Sequence, residues 1–182
     1  MRTVPLAVLF ALALLSGCLG PGAGTEQPAP APTTAADGTT TTPLGPAWSF
    51  TDTAGATITR DGNLGHPTVL FFMATWCSTC RSNTPRLATI QDEFAAQGLK
   101  SYSLSIEPND DKADLEDWKA RYDNPWPHGN DAGLANAKLF GVTSQSSIVV
   151  LDGHGNPVKQ WGYGGASESD LRKAVQDAFA RA

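Results

Sequence analysis

Residues 68–74 (TVLFFMA) form a nearly continuous apolar run, the pattern of a central strand buried on both faces. A polar stretch follows, and then Leu87, Ile90 and Phe94 recur at helical spacing up to Gly98. Pro85 falls inside that helix and predicts a kink, because its ring clashes with the carbonyl one turn earlier. Residues 101–106 read as the next strand. Asn109 and Asp110 are N-cap candidates for a helix carrying Leu115, Trp118 and Tyr122. The run NPWPHG at 124–129 reads as irregular. A short helix over 134–140, a strand over 148–151, a glycine-rich turn over 152–156 and a strand over 158–161 come next. Ser167 and Asp170 are spaced to cap a last helix containing Leu171, Val175 and Phe179. Ahead of all these lie a short strand near 48–52 and a polar-apolar stretch at 56–59. The order indicates a mixed α/β sandwich, without internal repeats.

The first 46 residues follow different rules. Arg2 supplies a positive charge and residues 6–15 an uninterrupted apolar stretch, the right length for an export signal and too short for a membrane span. Ser16 and Gly17 precede Cys18, and this segment resembles the lipobox of prokaryotic lipoproteins, where cleavage leaves the cysteine to carry lipid. The resemblance implies a signal peptide over 1–17 and Cys18 as a membrane anchor rather than a thiol. An ordinary signal peptide with a chance cysteine is the alternative. Residues 19–46 hold six prolines, seven threonines, five glycines and five alanines, with only Glu26 and Asp37 charged. Such a segment buries too little apolar surface to offset its ordering entropy, so a disordered tether over 18–46 is expected. The folded domain is then 47–182, a size that suits one core.

Composition removes other classes. The formal net charge is −5 and no basic run occurs, so nucleic acid is not an expected partner. Three cysteines are too few for a disulfide framework, and an odd number in an exported chain needs a separate use for one of them.

Cys77 and Cys80 stand where the buried strand hands over to the helix. The first lies where unpaired N–H groups and the helix dipole favour an anion, which lowers a thiol pKa. The second lies one helical turn on, near enough to resolve a mixed disulfide. A structural disulfide gains little from so short a loop. A zinc site would want a second cysteine pair or paired histidines, and His66, His128 and His154 are not so spaced.

The run from Pro67 through Trp76-Cys77-Ser78-Thr79-Cys80-Arg81, with Pro85 beyond, resembles the thioredoxin superfamily and within it the TlpA/ResA-like extracytoplasmic thiol-disulfide oxidoreductases. The resemblance extends to the 150–153 turn. It implies a thioredoxin-like three-layer α/β/α sandwich with a central mixed sheet. It further implies Cys77 as nucleophile, Cys80 as resolving cysteine, and Trp76 as a packing residue beside them. Partners would be protein disulfides and dithiols, with an external electron source or sink not identified. Haem-apoprotein cysteines are one substrate class it suggests. No cofactor or metal is implied. A lipid-anchored monomer on the outer face of the cell membrane is the expected setting.

Three positions depart from the family. Phe71 stands where thioredoxin keeps a buried acid, and Asn83 where ResA-like proteins often carry a glutamate. Ser146 falls where relatives have a cis-proline. A cis bond before a non-proline residue costs about 3–4 kcal/mol, so a trans bond is expected at Gln145–Ser146. Loss of the proline ring opens space beside the sulfurs. That motivates a second reading, a copper-handling protein like the Sco proteins on the same fold, although no ligand histidine is recognisable. A third reading is a peroxidase, since peroxiredoxins share the architecture. Their motif wants a proline and a threonine where this chain has Leu70 and Ala74.

Three further features are read as structural. The acidic cluster of Glu107, Asp110, Asp111, Asp114, Glu116 and Asp117 reads as a solvated helix face. Trp126 reads as a core plug, and His154 as an exposed turn residue.

Overall fold

The computed structural model describes Thr33–Thr34 and residues 40–182. The expected export signal and Cys18 lie outside the described residues. Strands β1 (Thr33–Thr34) and β2 (Thr40–Thr41) form a two-residue antiparallel ladder. Docking onto the domain starts at Pro43, ahead of position 47 where the sequence placed its start. The N–H of Gly45 donates to the His154 carbonyl at 3.0 Å, and Asn156 Nδ2 donates to the Pro43 carbonyl at 2.8 Å. A Cβ at position 45 would stand 1.9 Å from the Gly155 carbonyl oxygen, so only glycine permits this approach.

A hairpin of β3 (Ser49–Thr51) and β4 (Thr57–Thr59) precedes the main sheet. That sheet has five strands in the order β7-β6-β5-β8-β9. Central β5 (Thr68–Met73) runs parallel to β6 (Lys100–Ser105) and antiparallel to β8 (Ser147–Leu151), which pairs with β9 (Pro157–Trp161). Every residue of β5 is buried, as its unbroken apolar run requires. Its side chains alternate between two cores. Val69, Phe71 and Met73 pack with α1 (Ser78–Phe94), α2 (Lys112–Arg121) and α4 (Glu168–Phe179) through Leu87, Ile90, Leu115, Leu171 and Val175. Leu70 and Phe72 face Trp48, Phe50, Tyr102 and Phe140 beside the short α3 (Ala135–Leu139). The result is a thioredoxin-like three-layer α/β/α sandwich whose second outer layer is thin.

Two sequence expectations need adjustment. Residues 124–129 are not wholly irregular, because β7 (His128–Asn130) adds a parallel edge strand next to β6. A three-residue strand paired on one side, entered through Pro127, leaves no apolar alternation to detect. Helix α2 is capped by Asp111, not Asn109 or Asp110, through a reciprocal capping box with Asp114. Helix α1 carries Pro85 within its length, as the sequence placed it, and runs on to Phe94. Pro85 lies on its exposed face, where a missing backbone bond costs least.

Candidate active site

Cys77 is the N-cap residue of α1, extended at φ −75° and ψ 111°. Its Sγ accepts the backbone N–H of Cys80 at 3.0 Å, the position an N-capping oxygen normally takes. The two cysteines are joined as a disulfide with Cα atoms 5.2 Å apart. Both are buried; Cys77 retains 2% exposure and Cys80 none. On reduction, the Cys77 sulfur sits among the first-turn N–H groups, which stabilise a thiolate over a thiol.

The turn that delivers Cys77 is pinned by a residue the sequence left on a solvated face. Asp110 is buried, and its carboxylate accepts from the Thr75 N–H at 2.9 Å, the Thr75 hydroxyl at 2.5 Å and the Ser105 hydroxyl at 2.5 Å. Three consecutive polar residues in the loop between β6 and α2 give no sequence signal of which one turns inward. Of the rest of the acidic cluster, Glu116 accepts from the distant Thr53 hydroxyl, and three members act locally. Asp111 and Asp114 cap α2, and Asp117 pairs with Arg121.

Trp76, expected as the packing residue beside the sulfurs, turns a large part of its ring to solvent. It is 57% exposed, and its indole N–H donates to Glu107 at 3.0 Å. That bond, with those from Asn109, holds the Glu107 carboxyl below its ordinary range. On the other side of the motif stands Tyr163, 66% exposed, with its hydroxyl 2.9 Å from the Thr79 hydroxyl that donates to it. No sequence pattern pointed to Tyr163, which lies in the glycine-rich loop after β9. Trp126 is the expected plug, buried and donating to the Ser103 hydroxyl at 2.8 Å.

Ser146 is fully buried and left-handed, at φ +65°. A proline there would need φ near −65°, so this loop is not the family loop with one side chain exchanged. Asn83 meets this loop, its Nδ2 donating to Ser146 Oγ at 2.8 Å. Among the described residues no cluster of three or more His, Cys, Asp or Glu side chains converges. The three histidines bond backbone carbonyls through Nδ1, His66 that of Gly98, His154 that of Arg181 and His128 that of Trp126. No described helix is long and apolar enough to cross a membrane.

Comparison with known proteins agrees with this geometry. The sequence profile described as the AhpC/TSA family matches residues 43–160. The chain is 23% identical over 115 residues to the thiol-disulfide oxidoreductase ResA of Bacillus thuringiensis subsp. konkukian, which covers 63% of this chain and 65% of the relative. It is 27% identical over 85 residues to a thioredoxin-like protein of Haemophilus influenzae, covering 47% and 48% of the two chains. The matched region thus spans a little under two thirds of the first of these relatives and about half of the second. Among solved structures, a secreted Mycobacterium tuberculosis disulfide oxidoreductase superposes with a TM-score of 0.61 at 20% identity, covering 71% of this chain and 95% of the other. A thiol:disulfide interchange protein from Chlorobium tepidum TLS gives 0.62 at 20% identity, covering 75% and 96%. At such identities the structural likeness establishes the thioredoxin-like fold.

Proposed function

The chain belongs to the AhpC/TSA family, and we propose that it serves as a TlpA/ResA-like thiol-disulfide oxidoreductase acting on protein disulfides. The observation that carries this reading is the Cys77–Cys80 disulfide at the N-terminus of α1, with Cys77 Sγ in the capping position. In the reduced protein the Cys77 thiolate attacks one sulfur of a partner disulfide, forming a mixed disulfide and expelling the partner's other sulfur as a thiolate. Cys80, losing its proton, then attacks Cys77 Sγ. The partner leaves as a dithiol with both electrons, and Cys77–Cys80 is left oxidised. The reverse sequence oxidises a partner dithiol. In either direction a second protein dithiol or disulfide must reset the pair. A peroxidase finds less support, because Leu70 and Ala74 are both buried and neither offers a hydroxyl to a peroxide.

The setting proposed is the outer face of the cell membrane, with the domain tethered through lipid on Cys18. Support comes from Arg2, the apolar stretch at 6–15 and the small residues before Cys18. One acyl chain alone binds membranes marginally, so firm retention needs the multiple chains of a lipoprotein cysteine.

Trapping tests the exchange reading. A Cys80→Ala variant should accumulate mixed disulfides through Cys77, visible as dithiothreitol-sensitive adducts on non-reducing gels. A Cys77→Ala variant should accumulate none, and equal adducts from both variants would refute the assignment of roles.

A further inference from the structure

Thr79, Asn83 and Arg86 lie at helical spacing along one stripe of α1, and all three bond the same short segment after β9. The Thr79 hydroxyl donates to the Tyr163 hydroxyl at 2.9 Å, Asn83 Nδ2 to the Gly164 carbonyl at 2.9 Å, and Arg86 Nη1 to the Ala166 carbonyl at 3.4 Å. The exchange just described uses none of these contacts. Asn83 is the centre of the row. It is buried, its Nδ2 also donates to Ser146 Oγ at 2.8 Å, and its Oδ1 accepts from Arg86 Nη1 at 3.0 Å. A guanidinium only donates, so Arg86 fixes which end of the amide is oxygen and leaves both N–H donors for the two loops.

The segment 162–166 cannot hold itself. Gly162, Gly164 and Gly165 make up most of it, and glycine has the most backbone freedom to lose on ordering. Gly164 and Gly165 are left-handed, at φ +100° and +69°. Helix and loop are keyed to each other here, since a Cβ on Gly165 would stand 2.4 Å from Asn83 Nδ2. What the segment carries outward is Tyr163, 66% exposed, with its hydroxyl bonded to the residue directly before Cys80. A partner joined to Cys77 by a mixed disulfide must lay the polypeptide flanking its own cysteine around the motif, where this ring stands. A small disulfide need not.

We propose that Asn83, braced by Arg86, is a positioning residue for substrate selection: it fixes the 162–166 segment so that Tyr163 stands ready for the polypeptide flanking a partner's cysteine. This rests on the exchange reading above and concerns which disulfides are preferred, not how electrons move. A segment ordered in advance spares the complex the entropy of ordering it on contact, which favours protein disulfides over small ones. The role requires an amide at position 83. A carboxylate there has no proton to donate, and it would set an anionic oxygen against the Gly164 carbonyl.

Asn83→Asp keeps the size of the side chain and removes both donors, and two measurements on the full-length chain read its effect. Amide hydrogen exchange needs no substrate. The Gly165 N–H, which donates to the Gly162 carbonyl at 3.0 Å, should exchange about tenfold faster in Asn83→Asp. Oxidation of the reduced chain by insulin and by glutathione disulfide, each followed by thiol alkylation, gives a selectivity ratio. That ratio should fall about fivefold in Asn83→Asp and about tenfold in Tyr163→Ala. The double variant should fall no further than Tyr163→Ala alone, because Asn83 acts through that ring. Gly165→Ala, which displaces the amide from the loop side, should reproduce Asn83→Asp and covers the case in which a buried aspartate folds poorly. An unchanged Gly165 exchange rate, an unchanged ratio, or additive losses in the double variant would overturn the proposal. A wild-type chain inert to both disulfides would refute the exchange reading and this proposal with it, whereas faster Gly165 exchange at an unchanged ratio would refute this proposal alone.

Discussion

The carboxylate of Asp110 holds both the N–H and the hydroxyl of Thr75, joining two residues 35 positions apart and fixing the turn from which Cys77 emerges. Because the Ser105 hydroxyl shares the same carboxylate, the clamp spans β6, the loop behind it and the motif. Hydrogen bonds to a buried charged acceptor contribute about 1.5–3 kcal/mol each, and their orphaned donors are costly. Asp110→Ala should therefore lower stability by about 3 kcal/mol in urea unfolding and slow disulfide exchange as well. Asp110→Asn, which keeps one acceptor oxygen, should lose roughly half as much. A silent Asp110→Ala would mean the turn is held by other contacts.

Trp76 and Tyr163 present two exposed aromatic rings on either side of the redox motif. Rigid aromatic side chains of this kind contribute disproportionately to protein contacts. Trp76→Ala and Tyr163→Ala should each raise KM for a protein disulfide about tenfold, a loss of about 1.4 kcal/mol. Reaction with glutathione disulfide, too small to reach both rings, should be nearly unchanged. Equal losses on both substrates would place the two residues in the chemistry rather than in docking.

His128 gives the fold a definite acid weakness. It is fully buried on β7, and burial pushes its pKa down from 6.5 to about 4. The unfolded chain therefore takes up this proton first as pH falls. Stability is complete above about pH 6.5 and declines down to about pH 4, by roughly 3 kcal/mol in all. Denaturant unfolding at a series of pH values should show that slope, and His128→Gln should flatten it. Parallel profiles for the two proteins would assign acid unfolding to other groups.

How much of this was legible beforehand depends on range. The strand at 68–73 and the motif after it carry their signals within a dozen residues, as continuous apolar character followed by WCxxC. Ser167 and Asp170 likewise announce the start of α4 locally. Apart from the α2 cap, a local choice among Asn109, Asp110 and Asp111, the failures are contacts between distant segments. Asp110 looks like its acidic neighbours until β6 and the motif loop are side by side. Tyr163 is one aromatic residue in a glycine-rich stretch until it meets Thr79. The departures at Asn83 and Ser146 could be read one at a time as missing family residues. Their direct contact across 63 positions could not.

The central claim is that Cys77 and Cys80 form a working redox couple, and its reduction potential tests that most directly. The full-length chain would be equilibrated in thiol redox buffers and its oxidised fraction read by alkylation. A single reversible two-electron transition is predicted between about −270 mV, where thioredoxin lies, and about −120 mV, where strong disulfide donors lie. A midpoint toward the lower end would make the protein a reductase, and one toward the upper end a disulfide donor. A Cys77–Cys80 pair that stays in one state across all buffers, or that titrates irreversibly, would contradict the account.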